Sequence, residues 1–500
     1  MGSDFNVQIM DRILDEQVAF YTDKDNLMEV FVEYPLHNGA LAFEPISSRM
    51  FEAFLGYQYR TLSGDRVVPD FSGLLIVKEQ DCQYEQARQV RIHRRVAGSL
   101  RKGQIAYFLS DPQWTTVLVK RGGWKIGGSK TLKFLKSPLD EAQTKPKPGG
   151  DLFNLLRGYV NLDDDDFKLF VIYLVQSFSR SSSHFAAVLS SAKGTGKTTL
   201  SKVVRAIVDP SKSSVAIMPS TESDLKTLLS NSYLACFDNT ATLSTKFSNI
   251  LCAAITGSKD AKRKLYTDCD QIILNLHNMV LLNGIDIVPY KSDLAERTLL
   301  FELKAIPKAQ RKTDVEFWGG FNRDLPLILG AIFDTLVKAM ELLPTVAHEG
   351  LHRMADANEE MLAIAMALGM SQTEFQQLLW GNNAKLQAAY AQNNPFVDAV
   401  IDYIRSRGKV DAPASRVYAD FVNSVQGSHR YLPETPSHFS RKLNEEKDAL
   451  LQCGIQFSRY KEPDANYIRL ERIARSQQTK AQKLRSQHTK LLDDDASTED

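Results

Sequence analysis

The segment with the clearest chemical pattern is Ser191-Ala192-Lys193-Gly194-Thr195-Gly196-Lys197-Thr198. It matches the phosphate-loop pattern GxxxxGK[ST] except at the first position, where Ser191 replaces glycine. In such a loop the backbone N–H groups point at phosphate oxygens, the lysine reaches the β and γ phosphates, and the hydroxyl binds magnesium. The replacement matters only where the first position requires a positive φ. The residues expected to contact a nucleotide are Ala192, Lys193, Gly194, Thr195, Gly196, Lys197, Thr198 and Thr199.

The sequence on either side supplies the elements that such a loop requires. An apolar strand, Phe185–Leu189, precedes it, and Asp209-Pro210 is expected to end the helix that follows. The apolar residues of this helix recur on one face: Leu200, Val203, Val204, Ile207 and Val208. A strand, a glycine-rich loop and a helix N-terminus in this order favour anion binding. The alternative is a glycine-rich turn that contains a lysine by chance.

A second strand, Tyr233–Phe237, ends at Asp238 and Asn239. A phosphate loop needs such an acid near by to hold magnesium, because lysine alone does not neutralise the negative charge of a triphosphate. We therefore expect Thr198 and Asp238 to hold the metal. Asn239 stands where many such enzymes have a glutamate, and an amide can orient water but cannot accept its proton. Asp238 read alone could equally be a turn residue at the end of a strand.

Two later strands add further polar residues. The strand Met279–Leu282 leads to Asn283, which could sense the γ phosphate or position water. Arg297 precedes the strand Leu299–Leu303 and could reach the nucleotide of a neighbouring subunit as an arginine finger. Taken singly, Asn283 could be a turn residue and Arg297 part of a surface ion pair. The order Lys, Asp, Asn, Arg on successive strands favours the joint interpretation.

In this order of motifs the chain resembles AAA+ ATPases of the superfamily III helicase type, which occur in viral and mobile-element replication proteins. It is also similar to a family of bacterial ATP-binding proteins with the same FDN and LNGID motifs. The resemblance covers residues 165–310 closely and 430–470 loosely. It implies ATP and Mg²⁺ as cofactors and a homo-oligomeric ring, expected to be a hexamer.

The resemblance also implies a role for each motif residue. Lys197 and Thr198 take the Walker A role, Asp238 the Walker B role, Asn283 that of sensor 1 and Arg297 that of the arginine finger. In this family the segment before the sensor strand forms a hairpin that grips single-stranded DNA. The residues of the present chain that correspond to its basic side chains are Lys259, Lys262, Arg263 and Lys264, with Tyr266 available for base stacking.

Two further basic clusters are candidates for DNA contacts. Arg441 and Lys442 lie on the expected recognition helix of a C-terminal module, and Arg459, Lys461 and Arg469 lie on its wing strands. Such a face would suit phosphates, although such a module can also serve protein contacts. Arg91 and Arg95 fall on one face of a predicted strand, Gln89–Val96, and could form an exposed basic ridge. Charged residues that protect a sheet edge would give the same pattern.

Composition limits the class of protein. The chain has 61 Lys plus Arg against 60 Asp plus Glu, so any contact with nucleic acid must come from local basic patches. The 43% hydrophobic and 24% charged residues exclude fibrous and wholly disordered chains. The 5 cysteines form no CxxC pair, which excludes zinc ribbons and a disulfide framework. The sequence has no apolar run long enough for a membrane span, and we expect a cytoplasmic protein.

Changes in composition along the chain predict a multidomain α/β protein. We expect an α+β N-terminal domain of unassigned role at 1–145, a Pro/Gly linker at 145–150 and a P-loop AAA+ ATPase core at 151–320. A helical region should follow at 321–393. The order helix, helix, helix, strand, strand predicts a winged helix-turn-helix at 394–471, whose third helix covers Pro436–Gln452. Residues 472–500 are predicted to form a charged tail.

The sequence therefore predicts an ATP-dependent DNA helicase or translocase for phage or mobile-element replication, which acts on single-stranded or forked DNA. A second hypothesis is an ATP-switched DNA-binding initiator or loader that hydrolyses slowly, which Asn239 favours. A small-molecule kinase is a third, and it would need neither the finger arginine nor the winged helix.

Overall fold

A computed structural model describes residues 2–85, 88–128, 131–180, 183–191, 194–240, 243–263, 271–284, 292–346, 354–425, 432–463 and 465–473. The chain forms two compact units. The first contains Met1–Ala241, Asn249–Ile285 and Phe301–Leu379, and the second contains Thr242–Ser248, Asp286–Leu300 and Trp380–Asp500. No helix among the described residues is long and apolar enough to cross a membrane.

The first unit begins with three helices that pack on a small mixed sheet. The helices and strands are α1 (Gly2–Gln17), β1 (Ala19–Asp23), β2 (Val30–Pro35), β3 (Leu41–Pro45), α2 (Arg49–Ser63), α3 (Ser72–Glu85) and β4 (Gln89–Val90). The sheet has the order β3-β2-β1-β4, with β4 parallel to β1. Its core is built from side chains of both layers, among them Ile13, Val32, Tyr34 and Phe51.

An antiparallel sheet follows. The strands are β5 (Ile92–His93), β6 (Val96–Ser99), β7 (Gln104–Phe108), β8 (Thr116–Lys120), β9 (Gly123–Gly127) and β10 (Lys133–Phe134). Strands β6 to β9 pair in sequence order, whereas β5 pairs with β10. The single strand predicted at Gln89–Val96 is wrong, because β4, β5 and β6 pair with three different strands and the chain turns between them.

The central part of the first unit is a parallel sheet flanked by helices. The elements up to the third strand of this sheet are α4 (Leu152–Arg157), α5 (Asp164–Gln176), β11 (Ala186–Ser190), α6 (Lys197–Val208), β12 (Ala216–Ile217), α7 (Glu222–Ser230) and β13 (Leu234–Asp238). The remaining elements along the chain are α8 (Thr245–Thr256), β14 (Ser258–Arg263), β15 (Gln271–Leu276), β16 (Met279–Gly284), α9 (Ser292–Ala295) and β17 (Thr298–Glu302). Helix α9 and the first residues of α8 and β17 belong to the second unit.

The strand order β12-β13-β16-β11-β17 decides where a ligand could bind. The chain leaves β11 for the far edge at β12, returns through β13 and β16, and then places β17 on the other side of β11. Ligands of open α/β sheets bind at such a switch point, outside the carboxyl ends of the strands. All six residues of β16 are buried, as expected for a parallel strand covered on both faces.

Helix α6 is fixed at its C-terminal end by the preceding antiparallel sheet. The Tyr107 hydroxyl donates to the Val208 carbonyl oxygen at 3.1 Å, and Gln143 Nε2 donates to the Ala206 and Ile207 carbonyl oxygens at 2.9 and 3.0 Å. These carbonyl groups have no partner within the helix itself, because a helix leaves its last four unpaired. Residues 104–143 therefore hold the helix that begins at Lys197.

Arg95 reinforces this contact from the interior, and the basic ridge predicted for it is wrong. Its side chain is 2% exposed, and Nε lies 2.9 Å from Asp209 Oδ1. Nη1 donates to the Phe108 carbonyl oxygen at 3.1 Å. Burial alone would raise the pKa of Asp209, but the positive charges of Arg205 and Arg95 and a backbone N–H outweigh it and lower the pKa. The pair is thus ionised and buried.

The helices that close the first unit and join the second are long. The helices are α10 (Asp314–Leu342), α11 (Ala355–Ala367) and α12 (Gln372–Asn393). Residues 145–150, predicted as a linker, pack against α10: Lys147 N donates to the Pro326 carbonyl oxygen at 2.8 Å. A Cβ at Gly330 would lie 1.7 Å from the Lys147 carbonyl oxygen, so glycine is required for this approach.

The second unit contains a small module of helices and one antiparallel sheet. Its elements are α13 (Pro395–Arg407), β18 (Lys409–Pro413), α14 (Ala414–Ser424), α15 (Pro436–Glu445), α16 (Lys447–Gln452), β19 (Ile455–Lys461) and β20 (Asn466–Arg472). The sheet order is β18-β20-β19. Phe396, Phe421 and Phe439 form its aromatic core, with ring centroids 4.9 to 5.9 Å apart.

Two details of the predicted C-terminal module are wrong. Strand β18 was not expected, since Lys409–Pro413 is a half-exposed edge strand with no clear alternation of apolar residues. The helix predicted at Pro436–Gln452 is two helices, which meet at Glu446. Of the charged tail predicted at 472–500, residues 474–500 lie outside the described residues.

The buried Arg95–Asp209 pair gives a stability prediction. Arg95→Met should lower the free energy of unfolding by about 3 kcal/mol, because it leaves a buried carboxylate without its closest partner. Arg91→Met, which changes an exposed arginine near by, is the matched control and should alter it by less than about 0.5 kcal/mol. Urea unfolding followed by circular dichroism measures both, and equal midpoints for the two variants would contradict the role assigned to Arg95.

Candidate phosphate and metal site

The loop between β11 and α6 has the backbone of an anion-binding site. Gly194 and Gly196 adopt φ of +79° and +89°, angles that glycine reaches most readily. Helix α6 starts at Lys197, and its N-cap residue Gly196 supplies no side-chain hydrogen bond. The first N–H groups of the helix therefore carry no side-chain cap, and the positive end of the helix dipole adds to their attraction for an anion. Ala192 and Lys193 lie outside the described residues.

Ser191 fits the loop without strain. The described non-glycine residues with positive φ are Ser110, Trp114 and Asn239, so the first loop position does not require glycine. Lys197 Nζ donates to the Ser191 carbonyl oxygen at 2.6 Å and to Ser191 Oγ at 3.0 Å. The Ser191 and Thr195 hydroxyls also contact each other. The lysine is thus held over the loop, within reach of the space that a phosphate would occupy.

The carboxylate of Asp238 joins three parts of the site. Oδ2 accepts from the Thr198 hydroxyl at 3.1 Å, and Oδ1 accepts from Asn283 Nδ2 and from Asn239 N, both at 2.8 Å. Asn283 is 1% exposed, whereas Thr198 lies on the open side of the site. The structure therefore brings together four of the predicted site residues: Thr198, Asp238, Asn239 and Asn283.

Strand register explains this meeting point. Leu282 is paired with both Phe237 on β13 and Val188 on β11, so Asp238, Asn283 and Leu189 lie at the same level of the sheet. The carboxyl ends of all three strands face the N-terminus of α6. Thr198 and Asp238 supply oxygen atoms, the donor type that Mg²⁺ prefers, and a magnesium ion in such sites also takes water and substrate phosphate oxygens. These residues fit a magnesium ion.

Asn239 has a strained backbone that its residue type tolerates. Its φ is +52°, in the left-handed region, where asparagine and aspartate are the most common non-glycine residues. Its side chain is exposed beside the Asp238 carboxylate. The position can thus orient a water molecule, but it offers no carboxylate to take a proton.

A cavity of about 390 Å³ opens next to the loop. Gly194, Thr195 and Gly196 line one side of it. Tyr159 and Phe317, whose ring centroids are 5.5 Å apart, belong to the rest of the lining. Charged and polar side chains also line the cavity, so it combines an aromatic surface, which suits the flat ring of a nucleobase, with polar groups.

The lining residues outside the loop were missed by sequence reasoning. Tyr159 lies between α4 and α5, and Ile306 and Phe317 follow β17, so they are far apart in the chain and share no local pattern. Position in the chain was one available signal of a place near the loop, because Ile306 comes shortly after the strand that neighbours β11. Its Cδ1 would lie 3.4 Å from a Cβ at Gly196, which explains the small residue there.

The basic segment that was predicted to form a hairpin does form one. Strands β14 and β15 pair antiparallel from Ser258 opposite Leu276 to Arg263 opposite Gln271. Lys259, Lys262 and Arg263 belong to β14. Lys264 and Tyr266 lie outside the described residues.

The remaining predicted site residues have other contacts. Arg297 is in the second unit, where it forms a salt bridge of 2.5 Å with Asp293. Arg441 is 3.8 Å from Glu445 on the same helix. Lys442 Nζ lies 5.2 Å from the centre of the Phe396 ring. The structure does not join any of these three to the cluster around Asp238.

Comparison with known proteins relates the chain to DNA replication. Residues 153–375, from α4 to the start of α12, match the family model described as an actinomycete integrative conjugative element replication protein. The chain is thus similar to replication proteins of a mobile element over the segment that contains the loop and Asp238. No curated protein matches it.

Two solved structures show distant similarity. One is the A-form apo structure of the NrS-1 C-terminal region, with a TM-score of 0.40 and 13% identity over 93% of this chain and 98% of that one. The other is an apo structure of the same region, with a TM-score of 0.39 and 13% identity over 94% of this chain and 99% of that one.

The contact between Thr198 and Asp238 predicts a magnesium effect on nucleotide binding. Thr198→Val keeps the size of the side chain but removes the hydroxyl, so ADP should bind about tenfold more weakly in the presence of Mg²⁺, as expected for the loss of about 1.4 kcal/mol. Without Mg²⁺ the variant and the wild type should bind ADP alike. Isothermal titration calorimetry measures both cases, and an unchanged magnesium effect in the variant would argue against this metal site.

Proposed function

We propose that this chain is a magnesium-dependent ATPase of the AAA+, superfamily III helicase type that moves along or unwinds DNA during replication of a mobile element. The observation that carries the proposal is the connected set Thr198, Asp238 and Asn283 at the carboxyl edge of a parallel sheet, with Lys197 held against Ser191 in the adjoining loop. The match of residues 153–375 to a replication protein family supports the biological setting.

Each residue of this set has a proposed part in phosphoryl transfer to water. The N–H groups at the start of α6 and the Lys197 ammonium group would bind the β and γ phosphates, exchanging the contact with Ser191 for phosphate oxygens. Thr198 and Asp238 would hold Mg²⁺, which neutralises charge that develops on the phosphate oxygens. Asn283, held against Asp238, would orient the attacking water or contact the γ phosphate.

The cavity next to the loop is the proposed site of the base. Its volume of about 390 Å³ lies in the range of small-ligand pockets. Tyr159 is fixed there by its hydroxyl, which donates to Asp324 Oδ2 at 2.6 Å. A ring held in this way offers a flat apolar surface at little cost in conformational entropy. We take the nucleotide to be ATP.

Assembly and DNA contacts belong to the same proposal. A ring of identical subunits, with a hexamer as the expected size, would let Arg297 leave Asp293 and complete the site of a neighbour as an arginine finger. The hairpin β14–β15 would present Lys259, Lys262 and Arg263, with Lys264 beyond them, to single-stranded or forked DNA. The C-terminal module, proposed as a winged helix, would add a second DNA contact.

A second candidate function is an ATP-switched initiator or loader that binds ATP tightly and hydrolyses it slowly. The observation that favours it is Asn239: the residue beside the metal-binding carboxylate is an amide in a fixed left-handed conformation. General-base catalysis contributes about 10²- to 10⁴-fold to a rate, so its absence would slow turnover strongly. Such a protein would use ATP to change conformation rather than to drive steps along DNA.

Steady-state ATP hydrolysis with Mg²⁺, with and without single-stranded DNA, tests the proposal. The wild type should be stimulated severalfold by DNA, and Lys197→Ala should lose at least about 100-fold of its activity because the phosphate charge is no longer neutralised. Lys202→Ala, in the same helix, is the matched control and should behave as the wild type.

The two candidate functions give different outcomes in this assay. ATP binding with turnover near background in the presence of DNA would rule out the motor and favour the switch. Failure of the wild type to bind ATP at all would contradict both.

A further inference from the structure

The second unit contains a groove of about 720 Å³ that no sequence motif predicts. It lies between the N-terminal ends of α14 and α15 and the outer part of the β19–β20 hairpin. The helices contribute Ser415, Ser437 and Ser440, and the hairpin contributes Arg459 and Lys461. We call this the hairpin groove.

The positive charge in the hairpin groove is not neutralised by its surroundings. Arg459 and Lys461 are exposed, and neither side chain has an ion-pair or hydrogen-bond partner among the residues that the structure describes. Within that part of the module, none of the residues that line the groove is acidic. By contrast, Arg469 on the same hairpin is paired with Asp411 at 2.7 Å. Two cations thus remain available for an external anion.

The hairpin is braced so that these two cations face the groove. Alternation along β19 puts Arg459 on the same face as Phe457 and opposite the buried Ile468, which is the face towards the helices. Lys461 follows on that face, beyond the core. Tyr460 and Tyr467, which also line the groove, stack with ring centroids 5.4 Å apart, and the Tyr460 hydroxyl donates to Asp411 Oδ1 at 2.6 Å.

The helix ends add donors to the opposite wall. Helix α14 begins at Ala414 directly after Pro413, and no side chain caps its first turn. Its first N–H groups and the dipoles of α14 and α15 therefore attract negative charge. The hydroxyl of Ser415 at this wall can donate to a phosphate oxygen. Cations on one wall, with N–H groups and hydroxyls on the other, are the donors that contact nucleic-acid backbones.

We propose that the hairpin groove binds backbone phosphates of DNA. The inference rests on the proposed function for the identity of the nucleic acid, and it places the main DNA contact of this module on Arg459 and Lys461 rather than on the recognition helix. Arg441 and Lys442 each have a local partner, the exposed Glu445 at 3.8 Å and the Phe396 ring at 5.2 Å, whereas the groove cations have none among the described residues. A volume of about 720 Å³ exceeds the needs of a single phosphate ion, which favours a polymer over a free anion.

The test uses the full chain and fluorescence anisotropy with a labelled single strand and the corresponding duplex, over a series of salt concentrations. Arg459→Ala with Lys461→Ala removes the groove cations. Arg405→Ala with Lys409→Ala is the matched control: it removes the same charge from the other end of the module, where both side chains have acidic partners. Arg441→Ala with Lys442→Ala tests the position predicted from the sequence.

The groove variant should bind DNA about tenfold more weakly, and the slope of log K against log salt should fall by about 1 to 2. The control should stay within about twofold of the wild type. Whichever form of DNA, single strand or duplex, shows the larger loss of affinity in the groove variant is the form that the groove binds. ATP hydrolysis without DNA should be the same in all three variants, so a loss confined to DNA binding separates the groove from the nucleotide site.

Two results would overturn the proposal. One is a groove variant that loses no more affinity than the control, in particular if the Arg441 and Lys442 variant loses more. The other is a groove variant that binds inorganic phosphate more weakly than the wild type but keeps the wild-type affinity and salt slope for DNA, which would identify a site for small anions. If the wild type binds no DNA at any salt concentration, both the groove proposal and the proposed function fail.

Discussion

The carboxylate of Asp238 is the point on which the rest of the candidate site depends. It ends one strand, accepts a hydrogen bond from Asn283 on the next and another from Thr198 on the helix that follows the loop. A parallel sheet makes this possible, because it brings the carboxyl ends of strands that are distant in sequence to one edge. The same oxygen atoms are suited to a magnesium ion. A ligand here would therefore contact β13, β16 and α6 together, which is how one bound nucleotide can influence a whole sheet.

Helix α6 extends this effect to the far side of the unit. It is 12 residues long, or about 18 Å, with Lys197 at one end and the Tyr107 and Gln143 hydrogen bonds at the other. Asp209, which directly follows the helix, forms an ionised, buried pair with Arg95, and this pair anchors the C-terminal end of the helix. Residues 88–145 thus form part of the support of the site. This gives a structural role to a region to which the sequence alone assigned none.

Much of the site could be predicted because its chemistry is local. Each strand is a short apolar run followed by a polar residue, and the loop has a fixed spacing, so Thr198, Asp238 and Asn283 could be found without the fold. The burial of Arg95 could not be predicted, since it depends on Asp209, more than a hundred residues away, and an arginine in a strand is usually exposed. Strand β18 and the cavity beside the loop were missed for the same reason, because their partners come from distant parts of the chain. The hairpin groove became visible only when the alternation along β19 was combined with the position of two helix ends.

The most direct test of the central claim is a crystal structure of the full chain with ADP and manganese, which replaces magnesium and gives anomalous scattering. The account predicts a manganese peak bonded to the Thr198 hydroxyl and adjacent to Asp238, with the β phosphate on the N–H groups at the start of α6. It also predicts that Lys197 Nζ leaves Ser191 for a phosphate oxygen. A nucleotide bound outside the Gly194–Lys197 segment, or a manganese peak remote from Asp238, would contradict it.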